Sequence, residues 1–238
     1  MKQIAALVFF LFSVCQLQAQ KVYNDPNVEK RTVGSFHGIN VGTGIKLVIS
    51  EGATEEVAVS SNKPEYRDKI VTEVENGILK IYYENKLKAI NTNKEKKELR
   101  AYVSYKKLDE LNATTGAIVH VDGVLKAGSL KLKANTGGTV EGAVNVDDLE
   151  VDENTGAVVT LSGEAEKFSF DGDTGAVFHG TELKTNSCDV SASTGSGVYI
   201  TVQNDLTVKA STGGYVKYKG NAAAKSIKTS TGAFVRKL

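Results

Sequence analysis

Residues 154–159 read Asn-Thr-Gly-Ala-Val-Val, and nineteen positions later residues 173–178 read Asp-Thr-Gly-Ala-Val-Phe. Successive threonines of this pattern are separated by 21, 19, 19, 20, 18 and 19 residues. Self-similarity at such a period is typical of a solenoid, in which each repeat packs only against its neighbours. The Thr-Gly pair occurs seven times between residues 115 and 232, at Thr115-Gly116, Thr136-Gly137, Thr155-Gly156, Thr174-Gly175, Thr194-Gly195, Thr212-Gly213 and Thr231-Gly232.

The positions before each threonine alternate between apolar and polar residues, which is the period of a β-strand with one buried face. Four residues before the threonine, every repeat has an apolar residue: Leu111, Leu132, Val151, Phe170, Val190, Val208 and Ile227. Six residues before it the residue is mostly apolar, and two before it mostly small. We therefore expect these columns to face a common core and the columns between them to face water.

The Thr-Gly pair predicts a sharp corner between strands, because glycine adopts the positive φ that other residues resist. The residue before each threonine is short and polar, as in Asn154 and Asp173, and is suited to bonding backbone amides at the corner. A helical solenoid would need a 3.6-residue period, and a left-handed β-helix would show hexapeptide steps. The pattern predicts an all-β right-handed parallel β-helix over residues 111–238, with seven coils of about 19 residues.

Residues 33–110 show no such repeat, but they are rich in predicted strands. Asn76-Gly77 is typical of a hairpin turn between residues 71–74 and 78–83. A short helix is predicted over residues 61–70, with Asn62 as its cap and Pro64 in its first turn. Residues 86–98 form a charged loop, interpreted as a solvated loop rather than a binding patch, and residues 20–32 are interpreted as a leader without a core.

The first 19 residues have the composition of an export signal. Lys2 provides the positive start, residues 4–14 an apolar run, and residues 17–19 a cleavage site. A lipoprotein anchor at Cys15 is the alternative, although Val14 stands where a small residue is needed. The run is too short to span a bilayer and no later stretch replaces it, so we predict no transmembrane segment.

Composition and charge narrow the function classes. Of 238 residues, 41% are hydrophobic, while Gly numbers 23 and Pro only 2, which favours a β protein with many turns. Cleavage after residue 19 removes Lys2 and no acid, so 28 cations then balance 28 acids. A neutral chain has no clustered cations to attract nucleic acid or anionic lipid. Cys188 is then the only thiol, which excludes an intramolecular disulfide.

The segment Ser35-Phe36-His37-Gly38-Ile39-Asn40-Val41, followed by Gly42-Thr43-Gly44 and then by the Thr-Gly-Ala coils, resembles the "putative auto-transporter adhesin, head GIN domain" family. Gly38-Ile39-Asn40 is the tripeptide that names it, and the resemblance covers residues 33–238. It implies an exported envelope protein of a Gram-negative bacterium, periplasmic or on the outer cell surface, with a β-helical fold. It brings no catalytic residues with it.

Few residues are candidates for metal or cofactor chemistry. His120 and His179 both stand five residues after a threonine, in coils one and four, so they are separated by about 14 Å and cannot share a metal. The sequence has no nucleophile elbow, phosphate-binding loop, paired-histidine zinc motif or Cys-x-x-Cys. We predict no metal and no cofactor.

Four acidic residues on outward columns of coils three to five are the best candidates for binding or catalysis: Asp152, Asp171, Asp173 and Asp189. Neighbouring carboxylates can act as acid and base on a polysaccharide or bind calcium. However, parallel pairing of neighbouring coils places Glu150 and Asp152 beside Lys131 and Lys133, and the lysines would partly neutralise the two acids. A solvated face is therefore the preferred interpretation.

Two function classes follow. The first is a non-enzymatic surface protein that binds a glycan or a protein on the flat faces of the solenoid. The second is a carbohydrate-active enzyme, a polysaccharide lyase or hydrolase, that uses the outward carboxylates. We also predict that Cys188 is buried and unreactive, and that Tyr215 and Phe234, beside an uncovered terminal coil, support weak self-association.

Overall fold

A computed structural model describes Asp25 and residues 27–84 and 96–238. The predicted signal peptide and most of the predicted charged loop lie outside these residues. The described chain consists almost entirely of β-structure, with one α-helix of four residues, α1 (Pro64–Arg67). The strands before the repeats are β1 (Glu29–Arg31), β2 (Gly38–Val41), β3 (Lys46–Glu51), β4 (Glu56–Ser60), β5 (Ile70–Glu75), β6 (Ile78–Tyr83), β7 (Arg100–Tyr105) and β8 (Glu110–Thr114).

The Thr-Gly repeats form parallel coils, each running from one corner to the next. Their strands are β9 (Ile118–Asn135), β10 (Thr139–Glu153), β11 (Val158–Gly172), β12 (Val177–Ala192), β13 (Gly197–Ala210), β14 (Tyr215–Lys219), β15 (Ala223–Thr229) and β16 (Phe234–Lys237). Neighbouring coils pair in parallel at the sequence period, as Val140 with Val159. The all-β parallel solenoid of about seven turns is confirmed.

Each coil has two arms with the core between them. We call the part after the Thr-Gly corner the first arm and the part before the next corner the second arm. Phe168 and Phe170 of a second arm meet Phe178 of the following first arm, with ring centroids 4.8 and 5.7 Å apart. The column four residues before threonine is buried in six of the seven repeats, and Ile227 in the last coil is the exception.

The variable spacing of the repeats is absorbed where the two arms of a coil join. The register between β9 and β10 shifts between Glu141 and Ala143, and the register between β12 and β13 shifts after Gly180. The Thr-Gly corners themselves stay aligned from coil to coil. Bulges at the arm junction therefore accommodate extra residues without moving either buried face.

The corners are tight turns in which both central residues have positive φ. At Thr155 φ is 51° and at Gly156 it is 68°, and the Ala157 amide donates to the Asn154 carbonyl over 3.2 Å. Each corner is also tied to the next coil, since the Gly156 amide donates to the Thr174 carbonyl over 3.0 Å. The positive φ predicted for the corner glycines is confirmed, and the β-branched threonine before each of them adopts it as well.

The solenoid extends into residues 33–110, where the sequence pattern showed no repeat. Thr43 and Gly44 have φ of 57° and 71°, and the Gly44 amide donates to the Thr115 carbonyl over 3.0 Å. They form an eighth corner between β2 and β3, which pair in parallel with β8 and β9. β6 and β7 add a further layer on β2 and β3, and β4 and then β1 continue the sheet in antiparallel fashion.

Two local predictions in this region need correction, and one is confirmed. The helix is shorter than predicted and Asn62 does not cap it; Lys63 is at the N-cap, and the Asn62 side chain donates to the Lys96 carbonyl over 2.7 Å. The predicted leader also contributes β1 to the sheet. The hairpin at Asn76-Gly77 is confirmed, since both residues have positive φ between antiparallel β5 and β6.

Candidate functional site

The four predicted acidic residues lie on the second arms, and the structure brings three of them together. Asp152 and Asp171 are register partners on adjacent coils, and Asp173 is two residues beyond Asp171, directly after the end of β11. All three line a shallow groove of about 450 Å³. Asp189 is on the next coil in a different column, where it faces Ser169 and Thr207.

Neighbouring residues already engage several of these acids. Lys131 Nζ lies 2.6 Å from Glu150 Oε1, and Lys133 Nζ lies 3.8 Å from Asp152 Oδ2, as the column pattern predicted. Asp173 accepts hydrogen bonds from the Thr174 amide at 2.7 Å and the Ser193 hydroxyl at 3.1 Å. Asp173 is therefore a corner cap, and no group of three metal-binding side chains is found among the described residues.

Hydrogen bonding also sets the protonation of Asp173. Bonds from Thr194, the Thr174 amide and Ser193 hold the pKa of this carboxyl below its ordinary value. The group therefore stays ionised at neutral pH. A general acid in a glycosidase needs the opposite, a carboxyl with a raised pKa beside the leaving group.

The histidines are separated, each with its own neighbour. His37 Nδ1 lies 2.6 Å from Asp109 Oδ1, and His120 Nδ1 lies 3.0 Å from Glu141 Oε1. His120 and His179 share one outward column, with Glu141 and Thr160 between them. A second groove of about 430 Å³ lies between these two histidines.

The most distinctive surface lies on the outward face of the first arms in the last coils. His179, Tyr199, Tyr215 and Phe234 come from four successive coils and contact one another, and we call them the aromatic ladder. Their ring centroids are 5.3 Å apart for His179 and Tyr199, 6.0 Å for Tyr199 and Tyr215, and 5.6 Å for Tyr215 and Phe234. An alternating strand would place polar residues on this face, so the ladder is an exception to the pattern.

Gly197 determines how Tyr215 lies. These residues are register partners, and a Cβ at Gly197 would collide with the Tyr215 ring. The ring therefore lies across the backbone of the preceding coil and extends toward Tyr199. An aromatic ring over a glycine of the neighbouring strand covers that backbone with one face.

Lys217 is a polar component of the same surface. Its Nζ lies 5.0 Å from the Tyr199 ring centroid and 5.6 Å from that of Tyr215, within the range of cation–π contacts. The ammonium also lies 3.5 Å from the Tyr199 hydroxyl. The ladder thus combines apolar rings, a hydroxyl and a positive charge.

Sequence analysis found part of this ladder and missed the rest. The sequence predicts a surface role for Tyr215 and Phe234, which both stand three residues after a corner threonine. His179 and Tyr199 stand in the next outward column, five residues after threonine, and only side-chain packing across coils joins the two columns. The signal that could have found them is the occurrence of rings in adjacent outward columns of consecutive repeats.

Glu153 is a buried carboxylic acid that sequence analysis also missed. It occupies the column two residues before threonine, where five of the other six repeats have Ala or Gly, and it is 2% exposed. Neither carboxyl oxygen has a hydrogen-bond partner in the structure. Burial raises the pKa of Glu153 to about 9, so the group is neutral at pH 7.

Cys188 lies in the core, and its predicted burial is confirmed at 5% exposure. Its Sγ is 2.8 Å from Thr185 Oγ1. Burial raises the pKa of the Cys188 thiol to about 12. The buried site is consistent with the prediction that Cys188 acts as a small hydrophobic residue of the core.

The protein is thus a parallel β-solenoid, a rigid architecture with extended sheet surfaces, and it carries an aromatic ladder on one outward face. The chain belongs to the family described as "Putative auto-transporter adhesin, head GIN domain", whose model matches residues 35–222. The resemblance noted from the sequence is thereby confirmed. No curated protein matches the chain.

Solved structures share this fold. A "putative adhesin" from Bacteroides fragilis has a TM-score of 0.74 at 18% identity, over 89% of this chain and 96% of that one. A "putative adhesin" from Parabacteroides merdae has a TM-score of 0.70 at 15% identity, over 89% and 95%. A "putative lipid binding protein" from Parabacteroides distasonis has a TM-score of 0.63 at 15% identity, over 90% and 97%. At these identities the likeness establishes the fold alone.

The described residues include no helix that is long and apolar enough to cross a membrane.

Proposed function

We propose that this protein is a non-enzymatic, exported adhesin of the cell envelope that binds a glycan or a protein on the outward face of its first arms. The observation that carries the proposal is the aromatic ladder. Rings of four consecutive coils are held on a rigid sheet, at a place where strand alternation would put polar side chains. Preorganised aromatic surfaces bind ligands at low entropic cost.

The acidic groove gives less support to an enzyme. Asp152 has a lysine neighbour and Asp173 caps a corner, so neither is poised for proton transfer. A hydrolase would need a carboxyl with a raised pKa facing the substrate. Glu153 has the raised pKa, but its side chain is buried.

Binding of the purified protein to immobilised glycans and to extracellular-matrix proteins tests the proposal. We expect Tyr199→Ala and Tyr215→Ala each to weaken binding at least fivefold without loss of the folded state. Tyr82→Ala is the matched control, because Tyr82 is an exposed tyrosine on β6, away from the ladder. Equal affinities for all three variants, or polysaccharide cleavage lost in Asp171→Asn, would overturn the proposal.

A further inference from the structure

The charge of this chain is strongly segregated along the solenoid, although its sum is near zero. Residues 206–238 contain no Asp or Glu and seven cations: Lys209, Lys217, Lys219, Lys225, Lys228, Arg236 and Lys237. Residues 136–205 contain thirteen Asp and Glu against two cations, Lys167 and Lys184. The last coils are therefore cationic by seven charges and the coils before them anionic by eleven. The prediction that the chain has no clustered cations is therefore wrong for these last coils, although the total charge is near zero.

Three of these cations lie on the outward face of the first arms, as the aromatic ladder does. Lys217 and Arg236 are register partners on β14 and β16, and Lys219 is two residues beyond Lys217. Within the described residues, no carboxylate lies within ion-pair distance of any of the three. Lys225, on the other arm, is different, since its Nζ is 2.8 Å from Asp205 Oδ2. The positive charge beside the ladder is thus uncompensated.

We propose that the outward face formed by Tyr199, Tyr215, Phe234, Lys217 and Arg236 binds an anionic polysaccharide, one whose sugar rings carry carboxylate or sulfate groups. This inference rests on the proposed function and names the ligand class for that surface. The rings offer apolar faces to the C–H faces of sugars, and the ammonium and guanidinium groups pair with the acidic substituents. The face combines both kinds of contact within two neighbouring coils.

The distribution of charge favours a polysaccharide over other polyanions. Coils are spaced by about 4.8 Å, so the cationic coils form a narrow band beside the anionic ones. A rigid duplex or an anionic bilayer would extend over Glu141 and Glu182 on the same side and be repelled. A flexible single polysaccharide chain can contact the band without crossing the acidic region.

Affinity measurements with defined polymers test this inference. The probes are polygalacturonate and heparin, with dextran as the neutral polymer, at 50 and 300 mM NaCl. We expect the two acidic polymers to bind and dextran to bind at least tenfold more weakly. Lys217→Gln combined with Arg236→Gln should lower the affinity at least tenfold at 50 mM NaCl and reduce its salt dependence, because fewer counterions are released on binding.

The chain offers a control of identical charge. Lys209 and Lys228 are register partners on the second arms of the same region, so Lys209→Gln combined with Lys228→Gln removes two charges from a different face. We expect this pair of substitutions to change the affinity less than twofold. Equal losses in both double variants would mean general attraction of polyanions and would overturn the inference.

Two aromatic variants separate stacking from charge. Tyr215→Ala should lower the affinity for polygalacturonate while leaving its salt dependence unchanged. Gly197→Ala should do the same without removing any ring or charge, because the new Cβ displaces the Tyr215 ring. Thermal melting of each variant establishes that the solenoid is intact.

The outcomes distinguish this inference from the proposed function. If the ladder variants lose binding only to a neutral glycan or a protein, the anionic ligand class is wrong and the adhesin function stands. If no ligand responds to the ladder variants, both fail. Binding of a DNA oligonucleotide or of phosphatidylglycerol vesicles that equals that of polygalacturonate, with the same response to Lys217→Gln and Arg236→Gln, would overturn the choice of polysaccharide.

Discussion

At the scale of single residues, Glu153 links protonation to stability. Its pKa is about 9 in the folded protein, against 4.5 for an ordinary glutamate. Between these values the folded state binds more protons than the unfolded state, so the free energy of unfolding decreases as the pH rises. The contribution of this one group changes by about 1.4 kcal/mol per pH unit within that window.

We expect Glu153→Gln to be more stable than the wild type at pH 8, with an advantage that shrinks toward pH 5. Glutamine has a similar shape and cannot ionise, so the variant no longer has to bind a proton on folding, which costs the wild type free energy above pH 4.5. Thermal melting between pH 5 and 9 measures the effect, and Glu150→Gln, at a partly exposed position, is the control. Melting temperatures of wild type and Glu153→Gln that run parallel over this range would contradict the assignment.

The corner glycines carry a second prediction at this scale. We expect Gly156→Val to lower the free energy of unfolding by about 1 to 3 kcal/mol, because a β-branched residue is strained at φ of 68°. A Cβ at Gly156 meets nothing within 4 Å, so the cost comes from the backbone alone. Chemical denaturation measures it.

Gly128→Val is the matched control for the corner. Gly128 is exposed and its added Cβ would contact only Asp147, at 3.8 Å, without a positive φ. If Gly128→Val and Gly156→Val were equally destabilising, the turn conformation would not be the cause.

The reactivity of Cys188 tests whether the inward-facing positions of the repeat are closed to solvent. Because only the thiolate reacts and burial raises the pKa of this thiol to about 12, we expect slow modification by a thiol reagent at pH 7 in the native protein. Modification in denaturant should be fast. Rapid labelling of the native protein would show that this column is open to solvent.

At the scale of elements, the eighth corner joins the N-terminal strands to the solenoid. The Thr43 hydroxyl accepts a hydrogen bond from the Tyr83 amide at 2.9 Å, which ties β6 to the loop between β2 and β3. Thr43→Val keeps the side-chain shape and the β-branch but removes the acceptor. We expect a loss of about 0.5 to 1.5 kcal/mol, the usual contribution of one hydrogen bond.

Thr43→Ser provides the control, since it keeps the hydroxyl. Equilibrium unfolding of the two variants compares them directly. If serine and valine destabilise the protein equally, the Tyr83 contact does not contribute and the corner is held only by its stacking on Thr115.

At the scale of the whole molecule, the last described coil has one edge that no described strand covers. β15 and β16 pair with the preceding coil on one side, and no described strand pairs with their other edge. Phe234 is 45% exposed and Ile227 is 42% exposed. The proposed self-association through Tyr215 and Phe234 would bury this surface, but two copies meeting there would bring their cationic coils together.

Self-association should therefore increase with salt. Screening shortens the range of like-charge repulsion from about 10 Å at 0.1 M to about 3 Å at 1 M ionic strength. We expect sedimentation to show a monomer at 0.05 M NaCl and a growing dimer fraction at 0.5 M, which Phe234→Asp removes and Tyr82→Asp does not. A monomer at every salt concentration would refute the contact.

Much of the architecture could be predicted from the repeat. In stacked parallel coils, equivalent positions of successive repeats lie on top of one another and are buried or exposed together. Leu132 and Val151 could therefore be placed in the core from the sequence. The same reasoning located Cys188 and the pairing of Lys131 with Glu150. Local alternation is sufficient here because each coil repeats the environment of the last.

What only the tertiary structure decided involves contacts that the period does not encode. Thr43 stacks on Thr115 across an insertion of four strands, so no fixed spacing reveals that corner. The ladder depends on the Tyr215 ring lying over Gly197, which joins two outward columns through side-chain packing. Glu153 stands in a column of small residues, and its neutral state follows from burial without a partner. The position of a residue in the repeat determines whether its side chain points into the core or outward. Its conformation and protonation depend on neighbours that the folded chain brings together.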